Sequence, residues 1–404
     1  MIYWENNENR IPIRSWCAEA DSTTLEQARN LANHPVVRAH VSLMPDAHGG
    51  YGMPIGGVIA CENAVIPNAV GVDIGCGMIA LKTSLPSEEL AGMPRLREIV
   101  RALKARIPVG EGKARKEKIP WDGFETWRAG VANPPPWFTE KGHTLDEHNL
   151  GTLGGGNHFI EIQRAESGEV WLMLHSGSRN MGQRIAAYYH KTAKQLNETL
   201  GADLPDPNLA YLPADSEPGE AYIRDMNHAL AYALENRRLM MFRLKEILQE
   251  FFPSIEYSEE VNIHHNYAVL EEHNGTQYWL HRKGATSAKK DEIGLIPGSM
   301  GTPSYIVKGL GNPASFCSCS HGAGRRLGRR QANETLSLEA CNAAMEGIVF
   351  DRFGYYRGKT PEGKKQYDLS EAPLAYKDID AVIAAERDLA QPIVKLFPLA
   401  VVKG

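Results

Sequence analysis

The chain has 404 residues, 43% hydrophobic and 23% charged, with a formal net charge of −5. Those are ordinary globular values that permit a large core and, by length alone, two or three domains. The charge excludes a protein that binds nucleic acid by overall basicity, but not one with a local basic groove.

Six cysteines fall at positions 17, 61, 76, 317, 319 and 341, irregularly and without a C-x-x-C pair. The opening "MIYWENNENR" lacks the apolar run of a secretory segment, so a reducing cytoplasm is expected. No apolar stretch is long enough to span a bilayer, and "IVKLFPLAVV" near the end is short and broken by Lys and Pro, so no membrane partner is expected.

Taken in order, the early chain alternates short apolar runs with glycine turns. "YGMPIGGVIA", "AVIPNAVGV" and "MIALKTSL" read as strands, and "PDAH" (45–48), with Asp46 and His48, as a turn. Between them lies "GVDIGCG" (71–77), too glycine-rich for a good helix or strand. It is either a tight turn with one buried thiol or a bent loop presenting Asp73 and Cys76 to a metal ion. "NPPPW" (133–137) is the best break in the chain.

Two hairpins follow. In "NHFIEIQRAESGEVWLMLHSGSR" a four-residue "AESG" loop would pair Arg164 with Glu169 and set His158 opposite His175. Two histidines distant in sequence would then be neighbours, as metal ligands or as ordinary strand-end polar residues. In "EEVNIHHNYAVLEEHNGTQYWLHRKG" the Asn274-Gly275 pair signals a type I′ turn. His264 and His265 lie at the open end and point to opposite faces, so at most one serves any given site.

Residues 221–252 contain no Gly or Pro and repeat Ile223, Met226, Leu230, Leu234, Met241, Leu244 and Leu248 at helical spacing, which predicts a long amphipathic helix. Further helices are predicted over about 333–346 and 378–396. The expected class is therefore mixed α/β.

Asp73, Cys76 and three histidines form an O/S/N donor set, and a thiolate can bridge two cations of the kind used in phosphoryl chemistry. Ligand softness alone favours zinc or a late transition metal. In "FCSCSHGAGRRLGRR" (316–330) Cys317 and Cys319 read as core residues. His321, followed by Gly-Ala-Gly and four arginines (Arg325, Arg326, Arg329, Arg330), reads either as a loop before a solvated basic helix or as an imidazole at a phosphate-binding turn. "IPGSMG" (296–301) is a second turn rich in donors for phosphate or ribose oxygens.

Nine segments, "MPDAHGGYGMPIGG" (44–57), "GVDIGCG", "GTLGGGNHFIE" (151–161), "HSGSR" (175–179), "HHNY" (264–267), "PGSMG" (297–301), "SCSHGAGR" (318–325), "AYKDID" (375–380) and "VVKG" (401–404), resemble, in order, the RtcB family of GTP-dependent RNA ligases. The resemblance implies a single compact α/β domain over residues 1–404, a β-sheet core with hairpins surrounded by helices. It implies two manganese ions, which overrules the softness argument: Asp73, Cys76 and His158 on one, Cys76, His175 and His265 on the other. His321 would be the nucleophile that takes GMP from GTP. Asn157, His158, Phe159, Ile160, Glu161, His265, Asn266, Pro297, Gly298, Ser299, Met300, Ser304, His321, Gly322, Ala323 and Gly324 would contact the nucleotide, and Lys403 the guanine. Asp46 and Asn157 would assist catalysis, and Arg179 is a candidate phosphate ligand.

The implied reaction joins an RNA 2′,3′-cyclic-phosphate or 3′-phosphate end to a 5′-hydroxyl end, in RNA repair or tRNA processing, by a monomer working with or without an accessory activator. Lys113, Arg115, Lys116, Lys118 and the Arg325–Arg330 group are the candidate RNA grip. "VGEGKARKEK" after position 108 and the stretch 350–368 depart from the family pattern and bear on the choice of RNA. A cyclic phosphodiesterase without ligation would need neither His321 nor Lys403, and a non-catalytic RNA-binding factor should have lost ligands. Both are alternatives that the retained residues disfavour.

Overall fold

The computed structural model describes residues 4–6, 8–90, 92–354 and 367–404. Most of the unusual stretch at 350–368 therefore lies outside the described residues. Two antiparallel-rich sheets dominate, so the mixed α/β class holds. One runs Trp4–Asn6, Ile13–Ser15, Val37–Tyr51, Met53–Cys61, Thr276–Lys283, Asn266–His273. The other runs Tyr257–His264, Gly77–Pro86, Glu169–Ser176, Phe159–Ala165, Ala390–Lys403, Ser304–Gly309, Ile293–Ile296, with Val349–Phe350 beside Ala390–Lys403.

The chain passes from one sheet to the other at His265. The strand Tyr257–His264 ends beside Gly77, and Asn266–His273 begins the pairing with Thr276–Lys283. Asn274 and Gly275 have φ of 53° and 79°, as the predicted type I′ turn requires. The first hairpin departs from expectation by one residue. Arg164 pairs with Val170 and Phe159 with His175, so three residues form the loop and His158 lies just before the strand.

The long helix is present as Glu217–Phe251. Ser216 caps it by accepting from the Gly219 N–H at 3.2 Å, Pro218 sits in its first turn, and Pro253 follows its end. Its buried seam is not quite the predicted one. Tyr222, Met226, Ala229 and Tyr232 pack into one apolar cluster, and Met240, Met241, Leu244, Ile247 and Leu248 into another against Ile79, Leu81, Leu172 and Leu174. Ile223, Leu230 and Leu234 lie half-buried at the margin. Between the two apolar halves, where the predicted stripe skips from Leu234 to Met241, Asn236 and Arg237 are fully buried.

Other expectations are corrected. The helix predicted over 333–346 is two short ones, Arg329–Thr335 and Leu338–Ala343, because Ser337 caps a new start by accepting from the Ala340 N–H at 3.1 Å. The helix predicted over 378–396 stops after Ile379–Ala385, and Ala390–Lys403 is a central strand, its β-branched run satisfied by neighbours on both sides. "AVIPNAVGV" splits into Ala64–Val65 and the helical turn Pro67–Val70. "PDAH" is not a turn: it lies inside the irregular strand Val37–Tyr51, whose register shifts between Leu43 and His48. "NPPPW" marks no division, since Trp137 is buried against Trp127. Cys319 is buried in the core and Cys317 half-buried beside it, both free thiols as expected. No described helix is long and apolar enough to cross a membrane.

Arg237 donates to the carbonyls of Gly75 and Ser176, each at 2.9 Å, and to Asn262 Oδ1 at 2.7 Å. Replacing it by Ala removes three hydrogen bonds made from a fully buried position. Arg237→Ala should lower unfolding stability by about 3 kcal/mol or more, read by urea denaturation. Exposed Arg238→Ala, one residue on, should change it by less than about 0.5 kcal/mol.

Candidate metal and nucleotide site

Five donor side chains form a continuous row. Asp73 Oδ2 lies 3.2 Å from His158 Nε2, which is 3.4 Å from Cys76 Sγ; the sulfur is 3.1 Å from His175 Nε2, itself 3.2 Å from His265 Nε2. Cys76 is in the middle, with one oxygen–nitrogen pair on one side and two imidazoles on the other. The ligand atoms of Cys76, His158 and His175 lie within 4.8 Å of one another, close enough to share one cation, and all three residues are buried.

The loop that carries Asp73 and Cys76 explains its glycines. Gly75 (φ 77°) lets the chain turn over the long helix, where a Cβ would lie 2.9 Å from that of Ala233. A Cβ on Gly77 would overlap the carbonyl oxygen of Ile263 in the adjacent strand. The crossing segment locks the loop from the other side: the His265 N–H donates to the Cys76 carbonyl at 2.9 Å and Asn266 Nδ2 to the Asp73 carbonyl at 3.0 Å.

The imidazoles are aimed by carbonyls. His158 Nδ1 sits 3.0 Å from the Leu153 carbonyl and His175 Nδ1 3.2 Å from that of Asn157, which places the proton on Nδ1 and the lone pair on Nε2, toward the sulfur. His265 Nδ1 is buried without a hydrogen-bond partner among the described residues. His264 faces away, against the Gly75 carbonyl at 3.0 Å and Arg237 at 3.2 Å, so only one of the pair reaches the row.

Burial, and then the Asp73 charge, push the Cys76 thiol well above its ordinary value, while the Arg237 guanidinium opposes them. Burial also brings Arg237 down to about 10, leaving it charged at neutral pH. Burial would raise Asp73, but the adjoining His158 imidazole holds it down at about 2. Burial, with neighbouring imidazoles, keeps His175 and His265 well below 6.5 and therefore neutral. Neutral imidazoles, a carboxylate and a thiol that a cation would deprotonate are a donor set that fits divalent metal.

Beyond His265 the row continues to His321, whose ring is centred 4.8 Å from that of His265. His321 Nδ1 lies 2.7 Å from Asp46 Oδ2, which also accepts the His321 backbone N–H at 3.2 Å. Burial would raise the Asp46 carboxyl, but His321 holds it below the usual range. With Nδ1 committed to Asp46, His321 Nε2 is left free.

His321 lines a cavity of about 160 Å³ with Asn157, Phe159, Pro297–Met300, Gly322–Gly324, Arg325, Arg329, Tyr376 and Lys403. Segments from positions 157, 297, 321 and 403 thus meet in one place. Other expected contacts are one layer out. Ser304 Oγ accepts from the Gly298 N–H at 3.3 Å and from Gln163 at 3.0 Å, and Glu161 accepts from Gln163 at 2.6 Å. Asn266 is occupied with the backbone at Asp73 and Gly284. The Ile160 side chain faces the apolar core, opposite to the cavity.

Lys403 Nζ donates to the Asn157 carbonyl at 3.3 Å, lies 5.5 Å from the centre of the Phe159 ring and 3.7 Å from Glu371. Burial lowers its pKa, and Glu371 and Glu161 counter that shift. Burial raises Glu161 to about 8. The Gly404 N–H donates to the His158 carbonyl at 2.9 Å, so the last residues are tied to a metal-ligand candidate.

Arg179 (φ 58°) is mostly buried beside the row, its guanidinium 3.3 Å from both Thr152 Oγ1 and His158 Nδ1. Of the predicted cationic rim, Arg325 and Arg329 both pair with Glu371, at 3.2 and 2.9 Å, and exposed Arg330 pairs with Glu334 at 2.7 Å. Lys113, Lys116 and Lys118 are exposed, Lys118 pairing with Glu147 at 2.7 Å, and Arg115 is half-buried.

Sequence reasoning missed Asn236, Arg237 and Glu371. The break in the apolar stripe at 236–237 was a visible signal for the first two; nothing local marked Glu371.

Residues 27–404 match the family model described as tRNA-splicing ligase RtcB. The chain is 40% identical to the RNA-splicing ligase RtcB of Escherichia coli K12, with all of both chains covered. It is 33% identical to the tRNA-splicing ligase RtcB of Pyrobaculum aerophilum, covering 98% of this chain and 95% of that one. It is 31% identical to the enzyme of the same name from Thermococcus kodakarensis, covering 100% and 98%. A five-donor row centred on one cysteine, an acid–imidazole pair at its end and this likeness over the full length agree: the chain belongs to the RtcB tRNA-splicing ligase family.

Proposed function

We propose that residues 1–404 act as one GTP- and manganese-dependent RNA ligase that joins 2′,3′-cyclic-phosphate or 3′-phosphate ends to 5′-hydroxyl ends. The observation that carries this reading is the Asp46–His321 pair standing at the end of the Asp73–His158–Cys76–His175–His265 row. A nucleophile beside a cation site is what transfer of a nucleotidyl group requires.

Asp46 holds the His321 Nδ1 proton, so Nε2 presents its lone pair to the α-phosphorus of GTP. An N–P bond forms, the bond to the β-phosphate oxygen breaks, and pyrophosphate leaves with that electron pair. Water opens a cyclic phosphate to a 3′-phosphate, whose oxygen then displaces His321 and becomes capped by GMP. The 5′-hydroxyl attacks that 3′-phosphorus and expels GMP, its proton passing to a base. Asp73, Cys76 and His158 would hold one cation and Cys76, His175 and His265 the other; bound there, they supply charge neutralisation of the phosphates. The turns 297–300 and 321–324, with Asn157, would orient the nucleotide, and Arg179, beside His158, would meet a phosphate. Lys403 reads the guanine: an ammonium donor suits O6, where adenine presents an amino group.

Hydrolysis of cyclic phosphates without ligation is the lesser reading, because it gives the Asp46–His321 pair no task. RNA repair or tRNA processing is the setting the relatives' names support.

Three outcomes test this. His321→Ala should lose covalent label from GTP carrying radioactive α-phosphate by about 10³-fold or more, while elemental analysis finds its metal unchanged. Loss of metal in that variant would move His321 into the ligand set.

Cys76→Ser should lose both ions and ligation together, whereas His158→Ala or His265→Ala should each affect one ion. Two retained ions with near-normal ligation would sink the bridge.

Lys403→Ala should reduce the preference for GTP over ATP in self-labelling by about tenfold or more. Equal discrimination in variant and parent would place guanine recognition elsewhere. The substitution is preferable to truncation, because Gly404 supports the His158 backbone.

A further inference from the structure

Behind the nucleophile lies a second buried carboxyl that the proposed chemistry does not use. Glu386 follows the short helix Ile379–Ala385 and is fully inaccessible to solvent. Its Oε2 accepts the backbone N–H of Ser320 at 2.8 Å, while Asp46 Oδ2 accepts that of His321 at 3.2 Å. Two consecutive N–H groups, one belonging to the nucleophile and one to the residue before it, are thus each held by a carboxyl from a different part of the chain. The remaining oxygens, Asp46 Oδ1 and Glu386 Oε1, are both buried without a hydrogen-bond partner among the described residues.

Two buried carboxyls so placed cannot both carry charge cheaply. Asp46 faces the imidazole of His321 and has Lys377 nearby. Glu386 faces Asp46, the thiol of Cys319 and, on its own segment, Asp388, and among the described residues no cation is paired with it. The negative charge therefore belongs on Asp46 and the proton on Glu386. Burial, with the Asp46 and Asp388 charges added, raises Glu386 to about 8 despite the Ser320 N–H.

We propose that Glu386 is a positioning residue for guanylylation: as a neutral acid it clamps Ser320 beside the Asp46-held His321, and its ionisation releases the clamp. An ionised Glu386 would bury a second charge beside Asp46. It would be drawn toward water, leaving the Ser320 N–H without an acceptor and the His321 imidazole off its line to the cavity. The proposal rests on His321 being the nucleophile, and its tests separate the two ideas.

The first test compares self-labelling rates with GTP between pH 6.5 and 9 for the parent, Glu386→Gln and Glu386→Ala, each checked for fold by circular dichroism and for metal content. Glutamine keeps an acceptor for Ser320 and cannot ionise. Its rate at pH 7 should lie within about threefold of the parent, and alanine's should be at least about tenfold lower. The parent should lose about tenfold per pH unit above 8, and Glu386→Gln should not.

The second test needs neither GTP nor metal. A folded-state pKa raised above the unfolded value of about 4.3 contributes stability that is complete below that value and lost as pH rises through 8. The melting temperature of the parent should therefore fall relative to Glu386→Gln between pH 5 and 9. Parallel melting curves, a parent-like alkaline limb in Glu386→Gln, or a glutamine variant as slow as alanine at pH 7 would each overturn the proposal. If His321→Ala still takes label, the ligase reading fails instead, whatever the melting curves show.

Discussion

A buried guanidinium organises the site. Arg237 enters the core at the middle of the long helix and has no carboxylate partner among the described residues. It instead donates to Gly75 and Ser176, the carbonyls that flank the cysteine loop and the His175 strand, and touches His264 beside the sheet crossing. Its neighbour Asn236 accepts from the Gly151 and Thr152 N–H groups at 2.8 and 3.1 Å and donates to Thr152, Ser176 and Gly177. Thr152 adjoins Leu153, whose carbonyl aims His158. One polar turn of one helix therefore sets three ligand-bearing segments at once. The same charge favours the thiolate at Cys76, which burial and Asp73 resist. Desolvating a guanidinium is costly, and its hydrogen bonds to Gly75, Ser176 and Asn262 offset that cost.

The proposed nucleophile is held independently. His321 follows a short strand paired with Ala285–Ser287, and its surroundings come from the other side of the molecule: Asp46 from an irregular strand and Glu386 from the turn that precedes the final strand. Lys377 adds to this support by donating to the carbonyls of Pro45 and Ala47 at 3.2 and 2.7 Å, on either side of Asp46. The two assemblies meet where His265 faces both His175 and His321. That contact coincides with the passage of the chain from one sheet to the other. The donor row and His321 can thus be tuned by different residues while their distance is fixed by the fold.

Charge around the nucleotide cavity is more balanced than the sequence suggests. Glu371 takes Arg325, Arg329 and Lys403 together, and they hold it at about 2 against the upward push of burial. The cavity therefore offers directed donors more than a bare positive field. Lys113 and Lys116 remain exposed and without an ion pair among the described residues, so they carry the stronger case for contact with an RNA backbone.

The local signals in the sequence determined a good deal: the long helix from its unbroken stretch, the type I′ turn from Asn274-Gly275, the bent loop from glycines around Asp73 and Cys76. His158 and His175 are neighbours as inferred, although the pairing is displaced by one residue; His158 stands off the strand end, where the alternation of faces no longer applies. The failures share a cause. The tail after residue 385 has helical spacing, but neighbouring strands on both sides supply the hydrogen bonds that make it a strand. "PDAH" has turn composition, yet its strand is defined by partners at 55–61. Asp46 against His321, Glu386 against Ser320 and Arg237 against Gly75 join residues 275, 66 and 162 positions apart. Short-range periodicity carries no information about such pairs. Which donors face one another, and which buried carboxyl keeps its proton, was decided only when the two sheets and the long helix closed on one another.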